Sequence, residues 1–169
     1  ILYLKGYMNL SEKIDKIVNN LNNKEFKTAL NSCEKLINSR IENTVIYNLC
    51  GQAYQNLGFY EKSIIKFEKS IELNQKNYFA INNLAISLKA IEKLQLSEKA
   101  YQKCIKIKPD YLVGFINYAN LKDHLNEPEE AINLYLLALK LSTEPTTAYI
   151  LSKLSRLYLS IGKIQEARE

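Results

Sequence analysis

Tryptophan is missing from this chain, histidine occurs once, and only 5 glycines and 3 prolines punctuate its 169 residues. A fold of short strands and tight turns needs more punctuation than that. Leu, Ile, Lys, Glu and Asn are plentiful instead, so the class is all-α. The lone His124, in LKDHLNEPEE, has neither a second imidazole nor a nearby cysteine to complete a metal site or a base–nucleophile pair. Arginine is scarce as well: Arg40, Arg156 and Arg168 stand against a large excess of lysine. The net charge of +5 is dispersed, with lysines alternating with glutamates as in EKSIIKFEKS. That is a solvated helix face with local ion pairs, not a basic block with interleaved aromatics, so nucleic acid is not expected as a partner. The Lys, Asn and Ile surplus reads as codon usage in an AT-rich, bacterial-type genome.

Long apolar runs are also missing. ILYLKGY is apolar for four residues before a lysine, too short for a secretory core or a membrane span, and no membrane partner is expected. Cys33, Cys50 and Cys104 are an odd set without CxxC spacing, which indicates neither a disulfide framework nor a zinc site. A reducing, cytoplasmic compartment fits them. No cofactor, metal or catalytic residue is expected. Met8 opens MNLSEKIDKI like a natural start, so residues 1–9 are read as an N-terminal extension or cloning remnant and 10–169 as the folded array.

What is present is a repeat. With Thr44 in the first place, the chain matches itself when shifted by 34 residues. Tyr47, Cys50, Gly51 and Tyr54 share one side of a first helix, and Ser63, Phe67, Ser70 and Leu73 one side of a second. One repeat on stand Ile81, Leu84, Ala85 and Leu88, then Ser97, Tyr101, Cys104 and Ile107. The next has Phe115, Tyr118 and Ala119, then Ala131, Tyr135, Ala138 and Leu141. Small residues sit where helices approach and aromatics where a gap needs filling. Upstream, Ala29, Cys33 and Leu36 fit, with Ile14, Ile17, Val18 and Leu21 on a poorer first helix. After STEPTT inserts two residues, Ala148, Leu151, Leu154, Ser155, Tyr158, Gly162 and Ala167 resume the frame. The repeats are therefore 10–43, 44–77, 78–111, 112–145 and 148–169, the last ending inside a second helix.

These residues resemble the tetratricopeptide repeat, a helix-turn-helix unit. Its series appears best in 44–77 as Tyr47, Gly51, Tyr54, Gly58, Ser63 and Phe67. The resemblance implies a right-handed α-solenoid whose concave face binds a protein or peptide. The family prefers glycine between the two helices, where this chain has Lys24, Gly58, Glu92, Asn126 and Gly162. The turns at Lys24 and Glu92 are expected to be distorted, or their first helices to run on.

First helices line the concave side in such arrays. The places left over from packing are Val45, Asn48, Leu49 and Gln52; Phe79, Asn82, Asn83 and Ile86; Val113, Ile116, Asn117 and Asn120; and Tyr149, Ser152, Lys153 and Arg156. Asn48, Gln52, Asn82, Asn83, Asn117, Asn120, Lys153 and Arg156 are thus the expected peptide-binding residues. Asn83 and Asn117 are equivalent, which resembles the asparagine ladder of protein O-linked N-acetylglucosamine transferases. Plentiful Asn accounts for the same pattern without a ladder. Chaperone-binding repeats hold a terminal carboxylate with Lys and Asn where this chain has Ile14 and Val18, or Asn48 and Gln52. Lys153 and Arg156, three apart, are a cationic pair for a carboxylate or phosphate, or simply surface charge.

The leading expectation is a scaffold binding an extended peptide or helix. The alternative is the recognition arm of a sulfotransferase or glycosyltransferase whose catalytic domain follows QEARE, since the resemblance includes such arrangements. An array ending there is expected to leave Leu151, Leu154 and Tyr158 uncovered, and so to dimerise end to end or lose order after about Ser160.

Overall fold

The computed structural model describes residues 2–162, with side chains from residue 10. Ala167 and most of the segment expected to lose order after Ser160 lie outside them. The described residues form α1 (Leu2–Asn22), α2 (Phe26–Asn38), α3 (Thr44–Asn56), α4 (Tyr60–Leu73), α5 (Tyr78–Ala90), α6 (Leu94–Ile107), α7 (Leu112–His124), α8 (Pro128–Leu141) and α9 (Thr146–Ser160), with no strand among them. Helix α1 runs through the stretch read as an extension. The helices gather into two compact units, Ile1–Glu92 and Lys93–Glu169, and the division falls at a turn inside the 78–111 repeat.

Local chemistry explains where the helices start and stop. The Asn43 side chain accepts from the amides of Val45 and Ile46, at 2.8 and 3.3 Å, and caps α3; Asn77 does the same for α5 through Ala80, at 3.2 Å. Each cap satisfies amides the helix itself leaves orphaned. Part of the asparagine surplus is therefore capping. Pro128 opens α8, followed by Glu129 and Glu130 in its first turn, where a missing N–H costs nothing and negative charge suits the dipole.

The turns correct one expectation. Lys24 and Glu92 are neither distorted nor overrun: at φ 62° and 58° they adopt the left-handed conformation of Gly58 (80°), Asn126 (58°) and Gly162 (77°). The repeat imposes the turn even on residues that resist it at about 1–2 kcal/mol. Arg40, between α2 and α3, is left-handed too, at 59°.

In the first unit Ile17, Ala29, Cys33, Leu36, Ile46, Leu49, Cys50 and Ala53 form one buried cluster. Phe67 is fully buried on α4, a side chain whose removal from water is worth roughly 2–3 kcal/mol. In the second unit the core joins Phe115, Ala119, Ala131, Tyr135, Ala138, Ile150, Leu154 and Leu157. The repeating places are mostly inside, with exceptions: Leu73 and Leu141 are 37% exposed and Leu151 45%. First helices bury a wider face than one stripe, because neighbours touch them on two sides. Hence Ile46, Ala80 and Ile150, and Ala53, Ser87, Leu121 and Leu157, are buried as well.

Candidate functional site

Within the first unit, the N-terminal turns of α3 and α5 each raise an apolar side chain outward: Val45 is 42% exposed and Phe79 49%. In the second unit Val113 (46%) and Tyr149 (44%) do the same on α7 and α9. All four hold the second place of their repeats.

The amides expected beside them divide. Asn48 and Asn82 are buried, as is Leu49, which departs from their reading as groove-lining residues. Asn83, half-buried, donates from Nδ2 to Asn48 Oδ1 at 3.3 Å and accepts at Oδ1 from Asn82 Nδ2 at 3.4 Å. Gln55 donates from Nε2 to the Asn83 carbonyl at 2.9 Å and to Ser87 Oγ at 2.7 Å. These amides orient one another before any ligand arrives. A carboxamide has two N–H groups and an oxygen with two lone pairs, so these bonds use only part of what Asn83 offers. Gln52 is half-buried on the same helix as Asn48.

In the second unit Asn120 Oδ1 accepts from Tyr135 Oη at 2.7 Å and from Tyr149 Oη at 3.3 Å. Arg156 is ion-paired with Asp123, and Lys153 Nζ lies 5.4 Å from the Tyr149 ring centroid. Asn117 is half-buried on α7. Asp123 thus neutralises one half of the cationic pair expected to hold an anion, while an aromatic face receives the other.

Lys122 is a cluster that sequence reasoning missed. It is 5% exposed, and its ammonium meets Glu98 at 2.5 Å, Glu127 at 2.6 Å and Glu130 at 2.7 Å. Tyr118 Oη donates to Glu98 at 2.9 Å. Burial alone would lower the Lys122 pKa, but hydrogen bonds to Glu127, Glu130 and Glu98 outweigh it and raise it. The signal was in the frame: Lys122 occupies the place of Tyr54 and Leu88.

His124 is exposed at the end of α7. The three cysteines are free and buried. The neighbouring Cys33 and burial hold the Cys50 thiol far above its usual range, and burial pushes Cys104 up to about 11, so neither is a ready thiolate. Among the described residues no group of three or more His, Cys, Asp or Glu could hold a metal ion. No described helix is long and apolar enough to cross a membrane.

The model of the tetratricopeptide repeat matches residues 45–77 and 80–111. Two of this chain's repeats are tetratricopeptide repeats. Two curated proteins are similar: the Protein O-mannosyl-transferase Tmtc3 of Drosophila melanogaster, 26% identical over 123 residues, covering 64% of this chain and 13% of that protein, and the UDP-N-acetylglucosamine--peptide N-acetylglucosaminyltransferase of Giardia intestinalis, 26% identical over 109 residues, covering 63% of this chain and 7% of that protein. The chain therefore spans a small part of either. Among solved structures, TTC0263, a thermophilic TPR protein in Thermus thermophilus, has a TM-score of 0.78 at 17% identity, covering 93% of this chain and 85% of its own. MamA from Desulfovibrio magneticus has a TM-score of 0.76 at 17% identity, covering 92% and 89%. At these identities the likeness is one of fold.

In tetratricopeptide terms, each place has its own environment here. The eighth place takes Gly51, Ala85 and Ala119, all buried, and the second place is the outward apolar one.

Proposed function

We propose that this chain is an interaction scaffold that binds an extended peptide or a helix of a partner protein on its first-helix faces. The observation that carries the reading is a pair of exposed apolar second places in each unit, Val45 and Phe79 in one and Val113 and Tyr149 in the other. Beside them stand half-buried amides, Gln52 and Asn83 in the first unit and Asn117 and Asn120 in the second. Apolar anchors supply affinity and amides hold a peptide backbone in register. Asn48 and Asn82 serve by orienting Asn83, and Lys153 gives the second face a basic edge beside the Arg156–Asp123 pair. The three free, buried cysteines support a reducing compartment such as the cytoplasm.

Peptides selected from a random displayed library test this. The scaffold reading expects the Val45→Ser/Phe79→Ser or Val113→Ser/Tyr149→Ser pair to weaken a selected peptide about tenfold or more, with the fold intact by circular dichroism. Unchanged affinity in both pairs overturns it.

A second reading is the recognition arm of a larger glycosyltransferase or sulfotransferase; the names of the two curated relatives support its glycosyltransferase form. An antibody to residues 10–162 supports it by detecting, in source cells, a polypeptide far larger than 19.5 kDa; a band at that mass counts against it. End-to-end pairing through α9 draws on Leu151 and Leu159, 45% and 56% exposed, although Leu154 is buried and Tyr158 partly packed. A concentration-independent monomer in sedimentation removes that reading.

A further inference from the structure

Each unit shows how a second helix is received by the repeat that follows it. In the first unit Glu34 of α2 accepts from Tyr54 Oη of α3 at 2.9 Å and pairs with Lys66 of α4 at 3.1 Å. Lys69 of α4 reaches back to Glu42 at 3.9 Å. In the second, Glu98 of α6 is received by Lys122 and Tyr118 of α7. In both of these joints a carboxylate on the incoming helix is met by cations and hydroxyls on the receiving face.

One repeat upstream of Tyr47, Cys50, Lys66 and Lys69, the same places hold Lys13, Lys16, Ser32 and Lys35. These four line a cleft of about 280 Å³ between α1 and α2, whose apolar lining is Ile17 and Leu36, both buried. No ion pair engages the three lysines among the described residues. One turn further along α1, at the place of Tyr54, Asn20 is 8% exposed and its Nδ2 is buried without a hydrogen-bond partner. Such orphaned donors are uncommon and point to a missing acceptor. Among the described residues, α1 packs on α2 and α3.

We propose that this cleft docks an acidic, amphipathic helix of a partner protein, with its carboxylates on Lys13, Lys16 and Lys35 and an apolar side chain over Ile17 and Leu36. This surface is separate from the first-helix faces, so it stands or falls independently of the peptide-binding reading. Opposite charges steer the encounter, and the apolar lining fixes the register.

The probe is a labelled, amidated helical peptide with glutamates flanking a leucine row, followed by fluorescence anisotropy; its control carries glutamine for every glutamate. The expected result is binding that weakens with added salt, falls about tenfold or more in Lys13→Glu/Lys16→Glu/Lys35→Glu, and survives Lys103→Glu/Lys106→Glu on α6. The milder Lys13→Gln/Lys16→Gln/Lys35→Gln set serves if the reversal disturbs folding, and is expected to weaken binding in the same direction. Equal binding of the glutamine peptide, no binding of the acidic one, or equal losses in the α6 variant overturn the proposal. So does charge-dependent binding of phosphatidylserine vesicles without binding of the peptide, which would make the cleft a lipid surface.

Discussion

The ring of Phe67 fills the space that a side chain on Gly51 would need: a Cβ there would lie 2.6 Å from Cδ1 and 2.9 Å from Cζ. The glycine on α3 exists for the aromatic on α4, and the two are read as a pair sixteen residues apart. Gly51→Ala should destabilise the chain by up to about 2 kcal/mol, because overpacking of roughly 1–3 kcal/mol is offset in part by a gain in helix propensity of about 1 kcal/mol. Urea unfolding of Gly51→Ala, Phe67→Leu and the double variant should show positive coupling, the smaller side chain relieving the clash.

Lys122 should be more costly to lose than an ordinary surface lysine. Its ammonium is nearly buried and satisfies Glu98, Glu127 and Glu130, and breaking a buried pair from one side costs about 3–5 kcal/mol. Because those carboxylates reach water, Lys122→Met should lose less, about 2–3 kcal/mol. Adding Glu98→Gln should recover part of that loss. Thermal unfolding of the single and double variants checks the order.

Acid should weaken both units through Glu34 and Glu98. For Glu98 the Lys122 hydrogen bond leads in lowering the pKa below the usual 4.5, against the effect of burial. For Glu34 burial alone would raise it, but Lys66 and the Tyr54 phenol outweigh burial and lower it. Groups with depressed folded values stabilise fully above the unfolded value, and the contribution is lost as pH falls through the folded one. Wild-type stability should therefore drop as pH falls below 4.5. Glu34→Gln and Glu98→Gln should flatten that fall, measured by denaturant midpoints across the acid range.

Glu92→Gly and Lys24→Gly should each stabilise the chain by about 0.5–1 kcal/mol. Left-handed backbone costs a side chain about 1–2 kcal/mol, and glycine's greater freedom when unfolded returns about 0.4–1 kcal/mol of that. Melting temperatures measure it. A loss of stability would mean that these side chains make contacts worth more than the strain.

The repeat was legible because its packing code is periodic: Ala29, Cys33, Ser63, Phe67, Tyr101 and Tyr135 fall inside where spacing puts them. Other features were not. A single helical stripe marks Gly51 but misses Ile46 and Ala53, which a second neighbour covers. Lys24 and Glu92 defied local propensity because tertiary packing dictates the turn. Asn48, Asn82 and Asn83 looked like open groove-lining amides because spacing places amides on a face without showing that they bond to one another. Lys122 breaks the apolar pattern, and only the folded chain brings Glu98, Glu127 and Glu130 to it.

The most direct test is to titrate a library-selected peptide into isotope-labelled protein and follow backbone amide shifts by NMR. Binding on the first-helix faces predicts the largest shifts around Val45, Gln52, Phe79 and Asn83, around Val113, Asn117, Tyr149 and Lys153, or around both sets. Shifts confined to the second helices α4, α6 and α8 would contradict it.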